Sequence, residues 1–355
     1  MTSPSPVAGR GQPRGFSNEE SFGLFMEAVR ELQMYEDEAM KSASQPASLQ
    51  QHLQDALDAL EQCHRLYPDD LLPRYYLGIA LTMENQCLYA MLLRERQPQL
   101  PAASAAPAAF SDPSGDDTGT PLPPLPDRAW PLLDRALDCF NRNGDFALVP
   151  ELKDAALFNS ANVCVRLATP DSYNHAIAIL QELLNRRAVT RAPGRFAWLT
   201  AWSSTDLQQR RENEAKAFGL STQILLAAAR ALRAIRLHGP AAEPEFDAAL
   251  TELMRCGERA ANEITDAVAK HDVLADALTK RGVIKYFFAV SALPWSEETI
   301  ENAAADFQQA LQHKGSWMAA QIYLAQAYQA LGHPRAAEQQ LSAVLGMRAA
   351  PSKAA

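Results

Sequence analysis

The chain of 355 residues carries a net charge of −9, and 47% of its residues are hydrophobic although only 8% are aromatic. Few segments alternate with the period of two that a half-buried strand needs. We therefore expect an all-α protein, built either as two globular domains or as one extended stack of helical repeats. The acidic balance argues against a nucleic-acid partner.

The chain contains no recognisable targeting segment. Residues 1–16 are rich in Ser, Pro and Gly and lack the apolar core of a secretory signal, which predicts a disordered tail. The apolar run Ile224–Ala229 is far shorter than the ~20 residues that cross a bilayer, and Arg230 follows it at once. We expect a cytoplasmic protein that does not enter a membrane.

The five cysteines are odd in number, widely spaced, and set among apolar neighbours in helical patterns. This arrangement predicts buried thiols in a reducing compartment, with neither a disulfide framework nor a zinc site.

The strongest signal is a recurring set of small and large apolar residues. A helical hairpin needs a small side chain where its two helices cross, followed four residues later on the second helix by a large one and seven residues later by another apolar one. Such triplets occur at Ala56, Leu60 and Cys63, at Ala176, Leu180 and Leu183, at Ala303, Phe307 and Ala310, and at Ala337, Leu341 and Val344.

The spacing between these triplets sets the period of the repeat. Ala56 lies 22 residues before Gly78, Ala303 lies 22 before Ala325, and Ala325 lies 12 before Ala337, which gives a period of 34 residues. A 34-residue unit of two helices is typical of tetratricopeptide repeats.

The segment Gly315–Leu345 carries most positions of that repeat, including Leu324-Ala325, Tyr328 and Leu331-Gly332. On these residues the chain resembles the tetratricopeptide repeat family. The resemblance implies a right-handed superhelical stack of about six helix-turn-helix units, whose first helices line a concave groove for peptide or protein ligands.

The period is interrupted twice, which sets the predicted domain boundaries. The predicted units are an N-terminal set of repeats at 17–187, a basic linker with a long helical hairpin at 188–270, C-terminal repeats at 271–347 and a tail at 348–355. Residues 97–127 contain eight prolines and predict a disordered loop inserted between two packed helices.

The central hairpin departs furthest from the repeat. Asp206–His238 reads as one long helix stopped by Gly239-Pro240, and a second helix of similar length is expected after it. We predict that its apolar stripe consists of Phe246, Leu250, Leu253, Met254, Ala261 and Ile264.

Catalytic and metal-binding patterns are missing from the sequence. No two of the seven histidines stand three or four residues apart, and there is no Gly-rich phosphate loop and no Gly-x-Ser-x-Gly elbow. We therefore predict a non-catalytic protein that needs no cofactor and no metal.

A basic region stands out in the acidic chain, because residues 185–240 carry a net charge of +7. Its candidate patch consists of Arg210, Arg211, Arg230, Arg233 and Arg236, the last three forming a ridge on the central helix. This patch could serve a regulatory sensor or a nucleic-acid-associated protein, or contact an acidic peptide. Alternatively, its arginines pair within the chain or are simply solvated.

The resemblance also implies candidate partner-binding positions in the groove. These positions are Tyr75, Ile79, Phe158, Asn159, Asn162, Arg166, Ile322 and Gln326. Asn159 and Asn162 match the paired asparagines that hold a peptide in clamp-type members of the family, but the basic residues that complete such a clamp are missing. The preferred prediction is a scaffold or adaptor for a protein or peptide partner.

Overall fold

A computed structural model describes residues 16–39, 46–96, 130–141, 150–186, 207–291 and 295–345. Every regular element in these ranges is helical and none is a strand, which confirms the all-α class. Three predicted segments lie outside the described residues. They are the insertion at 97–127, the tail at 348–355 and residues 188–206 of the linker.

The α-helices follow one another with short connections wherever the chain between them is described. Their bounds are α1 Glu19–Ala39, α2 Pro46–Leu66, α3 Leu71–Arg96, α4 Trp130–Asn141, α5 Pro150–Leu167, α6 Pro170–Asn185, α7 Leu207–His238, α8 Glu243–Glu263, α9 Ala267–Ser291, α10 Glu297–His313, α11 Met318–Ala330 and α12 Pro334–Val344. A short 3₁₀ turn, Gly239–Ala242, joins α7 to α8.

Each helix packs against the next one along the chain, and the alternate helices α3, α5, α7, α9 and α11 also contact one another in succession. The small residues predicted at the hairpin crossings, Ala56, Ala176, Ala303 and Ala337, are all 0% exposed. The large residues four positions after them are equally buried. The periodic pattern therefore identifies the packed faces of neighbouring helix pairs.

The C-terminal hairpin returns to the N-terminal part of the chain, since both α11 and α12 contact α3. Arg94 Nε lies 2.8 Å from Glu338 Oε1, Gln326 Nε2 donates to Tyr89 Oη at 2.6 Å, and their neighbours Ile322, Leu341 and Leu345 join the apolar core of α1–α4. We call this arrangement a closed circuit, because each of α3, α5, α7, α9 and α11 contacts the next and α11 contacts α3. The sequence pattern did not predict it.

The central hairpin matches its prediction in one helix and not in the other. The first helix, α7, runs from Leu207 to His238, as predicted to within one residue, and ends at Gly239 with φ of 55°. The second, α8, has 21 residues against 32 in α7, so the expectation of similar length is wrong.

The apolar stripe predicted for α8 is also wrong in part. Met254 is 49% exposed and Ala261 is exposed, whereas the buried face consists of Ala249, Leu253, Cys256 and Ala260. Small residues form this face because α8 lies close to both α7 and α9.

All five cysteines are buried thiols, as predicted. Cys63 lies 3.4 Å from Ser21 Oγ, and burial raises the pKa of its thiol. A buried thiol with a raised pKa is a poor nucleophile, because little thiolate is present.

One stretch within residues 212–263 is apolar and long enough, by length and composition alone, to cross a bilayer. The sequence analysis missed this stretch because it considered only unbroken apolar runs, whereas this stretch includes a few charged residues. Of this apolar stretch, 67% is buried inside the protein, as expected for a core helix of a folded domain.

Candidate functional site

A ridge on α5 contains three of the predicted groove residues. Phe158, Asn162 and Arg166 are spaced by four, so they lie along one face of the helix, and each is partly exposed. The Phe158 ring packs at 5.4 Å, centroid to centroid, against Phe218 of α7. Neither Asn162 nor Arg166 forms a hydrogen bond or ion pair with the residues that the structure describes. This ridge is the part of the predicted groove that stays open.

Asn159 and Tyr75 join two helices instead of lining an open surface. Asn159 Nδ2 donates to Tyr75 Oη at 3.0 Å, which links α5 to α3. The Tyr75 ring also contacts Tyr76 and Phe140, and burial raises the pKa of its phenol. The Asn159 amide and the Tyr75 hydroxyl are therefore already hydrogen-bonded to each other.

The remaining predicted groove residues are packed inside the protein. Ile79, Ile322 and Gln326 are 8%, 3% and 3% exposed, and Gln326 is held by its bond to Tyr89. The return of α11 to α3 covers them. In this structure none of the three presents a surface to a partner.

Arg166 lies in the last turn of α5. It keeps some accessible surface, yet burial lowers the pKa of its guanidinium, as happens when surrounding protein displaces much of the hydrating water. The phenol of Tyr323, carried by α11, lies within electrostatic range of Arg166.

Two charged residues of α9, Asp276 and Lys280, have surroundings like those of Arg166. Burial lowers the pKa of Lys280 and raises that of Asp276, and both groups are partly exposed, as Arg166 is. Lys280 interacts favourably with Asp276 one helical turn earlier and is repelled by Arg166. No ion pair joins Asp276 to Lys280 or to Arg166 among the described contacts. Lys280 is therefore within electrostatic range of both Asp276 and Arg166.

Tyr323 lies within electrostatic range of two other tyrosines. Tyr173 and Tyr286 each interact electrostatically with Tyr323, and burial raises the pKa of all three phenols. Tyr173 also lies near Arg236 of α7. The rings of Tyr286 and Tyr323 both pack on Phe287, and the contact of Tyr323 with Phe287 joins α11 to α9.

The basic patch is dispersed along α7. Arg230 and Arg233 are exposed and form no ion pair with the described residues, whereas Arg236 is partly buried beside Tyr173. Arg210 and Arg211 lie within the helix, but their side chains are outside the described part of the structure. Only two members of the predicted patch therefore form a defined exposed surface.

The sequence prediction missed a buried charge cluster between α9 and α10. Asp306, with a side chain 4% exposed, accepts from Arg281 at 2.5 and 3.0 Å and lies 2.8 Å from Lys285 Nζ. The signal was the pair Arg281 and Lys285, four residues apart on one face of α9. This cluster joins α9 to α10, and three contacts from Arg281 and Lys285 already surround its carboxylate.

Within the described ranges, no group of three or more His, Cys, Asp or Glu side chains could hold a metal ion. The sequence matches no known family model and no curated protein. The resemblance to tetratricopeptide repeats therefore stands on the residue pattern, and the helix pairs agree with it at the level of all-α architecture.

Proposed function

We propose that this chain is a non-catalytic scaffold of the tetratricopeptide type, acting in the cytoplasm, that binds a protein or peptide partner on the inner face of a superhelical stack. The observation that carries the proposal is the α5 ridge. Phe158, Asn162 and Arg166 offer an apolar ring, an amide and a guanidinium at helical spacing on one partly exposed face. Such a set suits an extended peptide, whose backbone needs amide partners and whose side chains need apolar contact.

The packing around the ridge supports this use. Partner-binding residues need a rigid support, and α5 is held on both sides by α4 and α6 and touches α3 and α7. The amide of Asn162 has no described partner within the chain. An amide that is partly buried and unsatisfied gains more from a ligand than one fully exposed to water.

Affinity capture with the full chain tests the proposal. Partner recovery should drop strongly when Asn162→Ala and Phe158→Ala are combined, and should be unchanged by Gln181→Ala, which removes an exposed polar residue of α6. Circular dichroism of the variants establishes that each is folded. Equal recovery by all three proteins would refute the groove as the binding surface.

A second candidate function uses the exposed arginines of α7. Arg230 and Arg233 lie three residues apart and unpaired among the described residues, so a regulator could contact an acidic peptide or a nucleic acid there. Retention on a polyanion that falls steeply between low and moderate salt, and is lost in Arg230→Glu with Arg233→Glu, would favour this function. Retention independent of those arginines would reject it.

A further inference from the structure

The closed circuit has one junction that the chain itself does not bridge. Successive hairpins elsewhere in the circuit are joined by the polypeptide, whereas α3 meets α11 and α12 through non-covalent contacts alone. Tyr89 and Gln326, which touch there, are 237 residues apart in the sequence. We call this junction the seam. Separating α3 from α11 and α12 breaks no connection of the chain.

The ion pair and one hydrogen bond that cross the seam are weak. Arg94 Nε lies 2.8 Å from Glu338 Oε1, but the two side chains are 39% and 29% exposed. Ion pairs with that much access to water contribute little stability. Gln329 Nε2 donates to the carbonyl oxygen of Leu93 at 3.5 Å, which is long for a hydrogen bond. Neither contact makes the seam costly to open.

Two further polar contacts at the seam stabilise its closure only in part. Tyr35 Oη donates to Met318 Sδ at 3.2 Å, and a thioether is a weak acceptor. Gln326 Nε2 donates to Tyr89 Oη at 2.6 Å, but Gln326 Oε1 is buried and has no partner among the described residues. A buried acceptor without a hydrogen bond destabilises the closed state, whereas water satisfies it once the seam opens. The polar groups thus bring the closed and open states closer in free energy.

Apolar packing keeps the seam closed at rest. Ile322, Leu341 and Leu345 of the C-terminal hairpin are 3%, 0% and 1% exposed and join the apolar core of α1–α4. Ile322 and Gln326 are also two of the predicted groove residues. We propose that the seam is a releasable latch, at which α11 and α12 separate from α3 and uncover Ile322 and Gln326 for a partner. The closed circuit is then the autoinhibited form of the scaffold, and this inference rests on the proposed function only for what binds the uncovered surface.

Thiol labelling of the full chain measures the opening without a partner. In the variant Ile322→Cys, the new thiol is shielded while the seam is closed and reacts with iodoacetamide when the seam opens. Ile300→Cys is the matched control, because Ile300 of α10 is 1% exposed and belongs to a different apolar core. Peptide mapping by mass spectrometry separates the new thiols from the five native ones.

The labelling rate and its dependence on urea distinguish local opening from global unfolding. Ile322→Cys should react about ten-fold faster than Ile300→Cys, or more, because local opening needs less free energy than global unfolding. Its rate should also depend less on urea, since separating two helix faces exposes less surface than unfolding the protein. If Ile322→Cys does not fold, as judged by circular dichroism, Ala325→Cys at the same core carries the same test.

Charge reversal tests whether the opening occurs at the seam. Added to Ile322→Cys, Arg94→Glu faces Glu338 with a second carboxylate and should raise the labelling rate about two- to five-fold. Arg94→Glu combined with Glu338→Arg restores an ion pair and should return the rate to its starting value. Glu61→Arg, which breaks the exposed pair with Arg135 between α2 and α4, should leave the rate unchanged.

The proposal is overturned if Ile322→Cys and Ile300→Cys react at the same rate with the same dependence on urea, because the seam would then open only with the whole protein. It is also overturned if the combined reversal fails to slow the labelling that Arg94→Glu accelerates. An opening seam without any partner capture would keep the latch and remove the scaffold function. Partner capture by a protein whose seam does not open would keep the scaffold and remove the latch.

Discussion

A β-carbon placed on Gly78 would lie 2.6 Å from Cζ of Phe140, so the crossing of α3 and α4 leaves room for hydrogen alone. The same relationship joins Gly282 of α9 to Phe307 of α10, again at 2.6 Å. In both hairpins the first helix supplies the glycine, and the second supplies the large residue four positions after its small one. At these two crossings the small and large residues of the repeat pattern are in direct contact.

Alanine at Gly78 or Gly282 should therefore destabilise the protein. Alanine gains ~1 kcal/mol of helix propensity over glycine. Overpacking against a fully buried ring costs ~1–3 kcal/mol, and Phe140 and Phe307 are 1% and 0% exposed. We expect a net loss of about 1 kcal/mol in the free energy of unfolding, measured by urea denaturation.

Gly23 provides the matched control, because it is an exposed helical glycine whose β-carbon would meet nothing within 4 Å. Gly23→Ala should stabilise the protein by up to ~1 kcal/mol. If all three substitutions changed stability in the same direction, the close contact with the phenylalanine rings would not be the deciding factor.

Removing the charge of Asp306 should cost much more stability than breaking an exposed ion pair. Asp306→Asn leaves Arg281 and Lys285 partly buried without their carboxylate, and such a loss costs ~3 kcal/mol or more. Glu61→Gln breaks the exposed pair with Arg135 and should cost less than ~1 kcal/mol. Urea denaturation of both variants checks the difference, and equal costs would contradict the burial argument.

The hairpin of α1 and α2 should make the protein sensitive to acid. His52 Nδ1 lies 2.6 Å from Glu31 Oε2, and this hydrogen bond holds the pKa of Glu31 below its ordinary value of 4.5. A carboxylate with a lowered folded-state pKa stabilises the fold above the unfolded value and loses that effect as the pH falls through the folded one.

Below pH 4.5, stability should consequently fall less steeply in Glu31→Gln than in the unmodified protein. Glu27→Gln, which neutralises an exposed carboxylate on the same helix, should follow the unmodified protein. Urea midpoints measured from pH 7 to pH 3 test the difference in slope. Parallel curves for Glu31→Gln and the unmodified protein would show that the bond to His52 has no net effect.

Deleting α11 and α12 should expose α3, although more than 200 residues separate them in the sequence. Backbone amides of α3 should then exchange hydrogen faster, as measured by mass spectrometry, while those of α2 change little. In an open stack only α10 and α9 would lose protection. If the deletion aggregates, Leu341→Ala creates a cavity at the same contact and should have the same local effect, at a cost of ~2–5 kcal/mol.

The repeat pattern predicted the local structure well because its causes are local. The end of α7 follows from Gly239, and the turn after α11 follows from Gly332, whose φ is 74°. Ser17 with Glu20 and Ser48 with Gln51 have the spacing of capping boxes, but neither serine caps its helix, and at Ser17 the reason is non-local. Ser17 Oγ donates to Asp70, which directly precedes α3, while Asn18 Oδ1 caps α1 by accepting from the backbone amide of Ser21.

Ser48 does not cap α2 for a simpler reason, since α2 begins at Pro46 and already contains Ser48. Proline is favoured in the first turn of a helix, where its missing amide proton costs nothing. Phe16, placed in the tail by the sequence, packs at 5.0 Å against Phe25. Such contacts between distant segments cannot be read from periodicity.

The candidate site was predicted only in its α5 component. Phe158, Asn162 and Arg166 could be assigned because a repeat fixes which helix face turns inward. The burial of Ile322 and Gln326 depends on α11 meeting α3, and so does the approach of Tyr323 to Arg166. No spacing within one repeat contains information on how the two ends of the stack meet.

The contact of α11 and α12 with α3 also fixes how many hairpins the chain can have. An open array can gain or lose a unit by duplication or deletion, because the end units simply move apart. The closed circuit has no such freedom, because α11 and α12 pack on α3 of the second hairpin. One unit more or fewer would misalign Arg94 and Glu338. Variation in length is then confined to the connections and to longer helices such as α7.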